Sequence, residues 1–169
     1  MVNTFMVAHV GSYAISAVSL VDSINILVIQ AFYALSTGGT IVCAQYLGQK
    51  KTGHAIRSAE QTLFIVTLIS LVTAAFCILF DRQILRLIFG TVDEEVFNSA
   101  RTYFFYSSLS YPFIALYDAG SSIFRAQKNT GFPMAMSLIA NIANVMGNII
   151  LVLILGQGVA GAAISTLAA

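Results

Sequence analysis

Three asparagines stand in one uncharged apolar stretch, where an amide is a demanding group to place. Residues Pro133 to Leu155 read P-M-A-M-S-L-I-A-N-I-A-N-V-M-G-N-I-I-L-V-L-I-L. At about 100° per residue, Ser137, Asn141, Asn144 and Asn148 lie within roughly 60° of one another on a helix. An amide facing lipid leaves donors and acceptors unpaired, at a cost of a few kcal/mol. Two readings of the stripe stay open. It pairs with neighbouring helices as packing amides, or it lines a polar path for something that moves.

Asp118 is a second candidate, the only ionisable group well inside its predicted helix. Ser107, Tyr111, Ser122 and Arg125 share its face, within roughly 40° either side. A carboxylate at membrane depth costs about 3 kcal/mol or more, so it is a functional candidate, suited to reversible protonation. The structural alternative is an acid paired to Arg125 or to an amide of the next helix. Asp22, Asn25, Tyr33, Ser36 and Thr40 form another polar face on one long helix, and Asp22 also fits an interfacial position. Gln30 and Gln45 read as helix-packing amides.

The composition sets these residues in a membrane. The chain has 169 residues, 58% hydrophobic and 9% charged, against about 25% charged in soluble domains. With mean hydropathy +0.86, the expectation is an all-α membrane protein, a polytopic helical bundle. Net charge is +1, which gives no footprint for nucleic acid. Cys43 and Cys77 sit in apolar runs and read as small buried hydrophobes. There is no His-Glu metal pair, no G-x-S-x-G and no phosphate-binding glycine loop, and Asp118 lacks a second carboxylate, so no enzyme is expected. Neither a tightly bound metal nor a cofactor is expected.

The elements that position the polar residues follow from hydropathy and turn signals. One domain, 1–169, carries helices at about 1–10, 13–47, 56–80, 98–124, 133–155 and 159–169. The first and last read as truncated, so the chain is expected to be part of a larger protein. Asp81 to Gly90 is too short and charged to span and suits the interface. Pro112 is an expected kink. Lys50, Lys51, Arg57, Arg125 and Lys128 fall in the second and fourth connections, which places those in the cytoplasm. At about 1.5 Å per residue, Asn3, Asn144, Asn148 and Thr166 then lie between the midplane and roughly 6 Å outward. Polar groups at one level on three helices are expected of a central site.

Several stretches, in order, resemble one family. Val2-Asn3-Thr4-Phe5-Met6-Val7 with His9-Val10-Gly11 resembles the end of its first helix. Ala34-Leu35-Ser36-Thr37-Gly38 with Ala44-Gln45-Tyr46-Leu47-Gly48 resembles the second. Ile84-Leu85-Arg86-Leu87, then Phe124-Arg125-Ala126 with Asn129-Thr130, match the next segments. Asn141 to Asn148 and Gly158 to Thr166 resemble the fifth helix and the start of the sixth. The family is multidrug and toxic compound extrusion (MATE), nearest its bacterial NorM/DinF-like members. The resemblance covers almost the whole chain and implies one partial N-terminal bundle of a two-bundle transporter, with the second bundle of the same full-length chain as its partner.

The resemblance implies an antiporter in a bacterial cytoplasmic membrane, multi-pass, exporting a small organic cationic or amphipathic compound as Na+ or H+ enters. It assigns cation coupling to Asn3, Asn144, Asn148 and Thr166, with transient Na+ at Asn3, Asn144 and Asn148. Asp22, Asn25, Tyr33, Ser36, Thr40, Tyr111, Ser137 and Asn141 are the expected cavity lining. Many members carry Asp where this chain has Asn3. An amide coordinates Na+ through its oxygen but carries no proton, so Asp118 or an acid in the missing bundle is expected to serve H+. Two alternatives remain. One is a lipid-linked oligosaccharide flippase of the same superfamily, which would line its cavity with Arg or Lys. The other is a membrane packing subunit without transport.

Overall fold

A computed structural model of the chain describes residues 12–90, 94–154, 161 and 164–167. The regular elements among them are helical: α1 (Ser12–Gly48), α2 (Thr52–Leu79), α3 (Asp81–Phe89), α4 (Glu94–Ala126) and α5 (Gly131–Asn148). A π-helical segment, Ile149–Ile154, continues α5. α1 is the second helix expected from the sequence, because the first, with Asn3 and His9, lies outside the described residues.

Three helices are long and apolar enough to cross a membrane, over Val18–Gly48, Thr52–Leu79 and Gly131–Val152. Their apolar side chains are largely on the outside. Leu27 is 73% exposed, Phe64 70% and Leu79 75%. In water such a surface would aggregate, whereas lipid tails solvate it at no cost. α4 is long enough too, with 33 residues, but serines and tyrosines interrupt it. It is also rich in buried positions: Tyr103, Phe104, Ser107, Ser108, Ser110, Tyr111, Ala115, Ala119, Ser121 and Ser122. In a bilayer the more polar helix belongs inside, and its small residues let neighbouring backbones approach. The helix continues through Pro112.

The chain divides into two compact units. Unit 1 holds residues 1–26, 74–110 and 139–169, and unit 2 holds 27–73 and 111–138. The four long helices each contribute a segment to both. In unit 1, Asp81 is buried and paired with Arg101 (Nε to Oδ2, 2.5 Å). This ties the start of α3 to α4. Within α3, Leu85 is buried while Leu87 is 88% exposed, as befits a short helix lying at an interface. Cys77 of unit 1 and Cys43 of unit 2 are buried free thiols, and Cys43 Sγ donates to Ala55 O at 3.6 Å.

The two basic connections, both in unit 2, close in the same way. Lys50 N donates to Leu47 O and Lys51 N to Tyr46 O. Lys128 N donates to Arg125 O and Asn129 N to Phe124 O. This pattern satisfies the last carbonyls of a helix and needs a left-handed residue, usually Gly. Here lysines take it, Lys50 at φ 59° and Lys128 at φ 61°. A lysine there costs backbone strain but puts positive charge at a helix C-terminus and beside a membrane surface. The first basic loop is shorter than expected. His54 and Ala55 N–H both bond to Lys51 O, His54 stacks on Tyr46 at 5.4 Å, and α2 therefore begins at Thr52. Gln30 and Gln45 are exposed on α1, so they are not packing amides within the described residues.

Candidate functional site

In unit 1 the amide stripe becomes a hydrogen-bonded chain with one direction. Ser165 Oγ donates to Asn148 Oδ1 at 2.9 Å. Asn148 Nδ2 donates to Asn144 Oδ1 at 3.0 Å, and Asn144 Nδ2 donates to Thr166 Oγ1 at 3.3 Å. Asn148 is fully buried and Ser165 nearly so. Asn144 and Asn148 meet because residues four apart on a helix are neighbours. Ser165 and Thr166 reach them because Gly147 leaves room: a Cβ there would lie 2.9 Å from Ser165 Cβ. The π-helical segment begins right after Asn148, and such segments recur at functional sites.

Asn148 Oδ1, Asn144 Oδ1 and Thr166 Oγ1 each accept from a protein donor, and an amide carbonyl has two lone pairs. The cluster offers neutral hard oxygens of the kind that suit a small hard cation. Among the described residues no group of His, Cys, Asp or Glu is placed to hold a metal ion. The structure thus brings together Asn144, Asn148 and Thr166. Asn3 lies outside the described residues. Ser165 was missed by the sequence reading, although it adjoins Thr166; nothing in the spacing marked it as the nearer partner of Asn148.

Unit 2 holds a cavity of about 350 Å³. Tyr33 of α1, Tyr117, Asp118, Ser121 and Arg125 of α4, and Ser137 of α5 line it, with Thr130, Pro133 and Met134 at the start of α5. Tyr117 Oη donates to Pro133 O at 3.2 Å and holds α4 to α5 there. Among the described residues Asp118 makes no ion pair within 4.0 Å, so the structural alternative of a direct pair with Arg125 does not hold. Arg125 is near enough to act on it electrostatically. The guanidinium is deeper than its sequence position implies. Its Nε donates to Ser121 O at 3.2 Å, which folds the side chain back along α4, and it lies 6.0 Å from the Tyr33 ring centre.

The other expected lining residues divide between the units. In unit 1, Tyr103 Oη donates to Asp22 Oδ1 at 3.1 Å, and Asn25 is buried beside it. Asp22 is therefore tied into the protein. Asn141 is exposed. In unit 2, Tyr33 and Ser137 line the cavity, whereas Ser36 is fully buried away from it and Thr40 Oγ1 donates to Ser36 O at 2.8 Å. Tyr111 is buried against Phe32 at 6.0 Å, edge to face, as a core aromatic.

Known proteins give the arrangement a context. The family model described as MatE matches residues 1–150. A crystal structure described as MATE in the bent conformation superposes with a TM-score of 0.92 at 21% identity. The match covers 99% of this chain and 37% of that one. An inward-facing conformation of a multidrug resistance MATE family transporter of the MOP superfamily gives 0.93 at 20% identity, covering 99% and 38%. A MOP superfamily transporter from Pyrococcus furiosus, described as having a binding pocket of reverse polarity that suggests a different function, gives 0.90 at 21% identity, covering 99% and 36%. The chain thus spans a little over a third of the length of these structures, and its fold is that of one part of them.

Proposed function

The chain belongs to the MatE family of membrane transporters, and from that premise we propose that the full-length protein is a secondary antiporter of a bacterial cytoplasmic membrane. It exports a small organic cationic or amphipathic compound while Na+ or H+ enters. The observation that supports this most is the hydrogen-bonded chain Ser165–Asn148–Asn144–Thr166. A purely structural amide ladder needs no reason to gather four neutral oxygens at one point. A coupling site does, because Na+ at those oxygens competes with the Ser165 O–H and amide N–H groups that they now accept from. That exchange couples ion entry to the positions of α5 and of residues 164–167. Asn3 is the further expected ligand. Asp118 is the proposed carrier if H+ is the coupling ion, since no member of the amide chain titrates.

The proposed whole includes a second bundle in the same full-length chain, because alternating access needs one bundle to rock against another. The flippase reading draws some support from Arg125, which lines the unit 2 cavity. Asp118 shares that cavity and leaves it without the net positive charge that a pyrophosphate calls for, so drug export is favoured.

The test is export of a fluorescent organic cation by full-length protein in energised inverted vesicles. Export driven by a Na+ gradient, and abolished in Asn148→Leu protein that still shows a folded thermal transition, is the expected result for coupling at the amide chain. Export driven by H+ and abolished by Asp118→Asn assigns coupling to the carboxyl. Absence of export under both gradients rejects the antiport reading.

A further inference from the structure

Asp118 and Arg125 share one cavity without neutralising each other. No ion pair within 4.0 Å joins them. Among the described residues Asp118 accepts no hydrogen bond, and Arg125 spends one N–H on Ser121 O. A guanidinium has five N–H donors and a carboxylate about four acceptor positions, so both retain most of their capacity. The cavity therefore carries one charge of each sign and no net charge. In surroundings of low polarity, a ligand with a cation alone meets repulsion from Arg125, and one with an anion alone meets repulsion from Asp118.

We propose that this cavity binds an amphipathic zwitterion. Asp118 takes its ammonium, Arg125 takes its carboxylate or phosphate, and Tyr33, Tyr117 and Met134 receive its apolar body. The volume, about 350 Å³, falls in the range of small-molecule sites. The rings suit the ligand as well. Tyr33 already has the Arg125 guanidinium over its face, an arrangement that orients the planar fork for a bidentate anion. Tyr117 is braced by its bond to Pro133 O, so that wall is set before the ligand arrives. Arg125 and Thr130, at the connection from α4 to α5, are part of its lining. The inference goes beyond the antiport reading and rests on it only for the consequence that the bound molecule is moved. Binding is measured without any gradient, so its failure and the failure of export are separate results.

The experiment uses purified full-length protein in nanodiscs free of zwitterionic lipid. The probes are Nε-dansyl-lysine, which is a zwitterion, its methyl ester, a cation, and its Nα-acetyl derivative, an anion. Wild type is expected to bind the zwitterion at least about tenfold more tightly than either relative, one charge-assisted contact being worth roughly that factor. Arg125→Gln should bring the ester level with the zwitterion, and Asp118→Asn should bring the acetyl derivative level with it. These reciprocal changes in ranking are readable only in protein that has folded. Displacement of the probe by phosphatidylethanolamine, with those rankings kept, identifies the natural zwitterion as a lipid headgroup. Its persistence identifies a water-soluble one. Equal binding of ester and zwitterion by wild type, a ranking unmoved in both variants, or no binding of any probe overturns the proposal.

Discussion

The amide chain of unit 1 and the charged cavity of unit 2 meet the same difficulty in opposite ways. Both place strongly polar groups on membrane-crossing helices. In unit 1 Asn148 Oδ1, Asn144 Oδ1 and Thr166 Oγ1 each accept from a neighbour, and Asn148 is fully buried. In unit 2 an acid and a base line one cavity unpaired. A satisfied network stabilises the fold and responds to a ligand only by exchanging partners. An unsatisfied pair of charges adds little to the fold and keeps its interaction capacity for a ligand. The contrast separates residues whose loss should unfold the protein from residues whose loss should change only what it binds.

The largest effect is expected from breaking the satisfied side. Asn148→Leu removes the acceptor of Ser165 and the donor to Asn144. It should lower stability by about 2–4 kcal/mol, read as a fall in Tm of the detergent-solubilised full-length protein. Asp118→Asn, on the other side, should leave stability within about 0.5 kcal/mol of wild type. Equal losses from both substitutions would erase the distinction.

Close helix approaches come next. Gly147→Val places carbon against Ser165 and should cost about 1–3 kcal/mol while lengthening the Ser165–Asn148 hydrogen bond. Two adjacent glycines in unit 2 offer an internal control. A Cβ at Gly39 would collide with the Thr62 side chain, whereas one at Gly38 meets nothing within 4 Å. Gly39→Ala should therefore destabilise by about 1–3 kcal/mol, and Gly38→Ala should stabilise slightly, by about 0.5–1 kcal/mol. Thermal unfolding of the pair separates packing from backbone entropy.

The smallest effect concerns the two strained lysines. Lys50→Gly and Lys128→Gly relieve a left-handed backbone and should each raise stability by about 1 kcal/mol. The double variant also removes charge from both basic connections. Cysteine-accessibility mapping should then show a fraction of molecules with altered orientation. Unchanged orientation would mean that Lys51, Arg57 and Arg125 suffice.

Much of this was legible in the residues themselves. Charge scarcity and long apolar runs specify membrane-crossing helices, because unpaired backbone in lipid leaves a helix as the economical choice. The i, i+4 spacing of Asn144 and Asn148 makes them neighbours on any helix, and Asp118 is conspicuous wherever its helix lies. Other features depended on which helix faces which. Tyr111 and Ser36 share helical faces with polar candidates, yet packing takes them into the core. Asp81 is drawn into burial by Arg101, twenty residues on, a distance that no local pattern reports. Arg125 reaches the cavity through a rotamer, which its place at a helix end does not reveal.

The sequence by itself determined the solvent, the helices and the faces on which polar groups stand, because hydropathy and the 3.6-residue period act locally. Only the tertiary structure decided that Ser165 closes the amide chain and that Asp118 and Arg125 share a cavity unpaired. Hydrogen bonds and ion pairs act over a few ångströms, so helix packing settles which polar groups find partners and which remain available to a ligand.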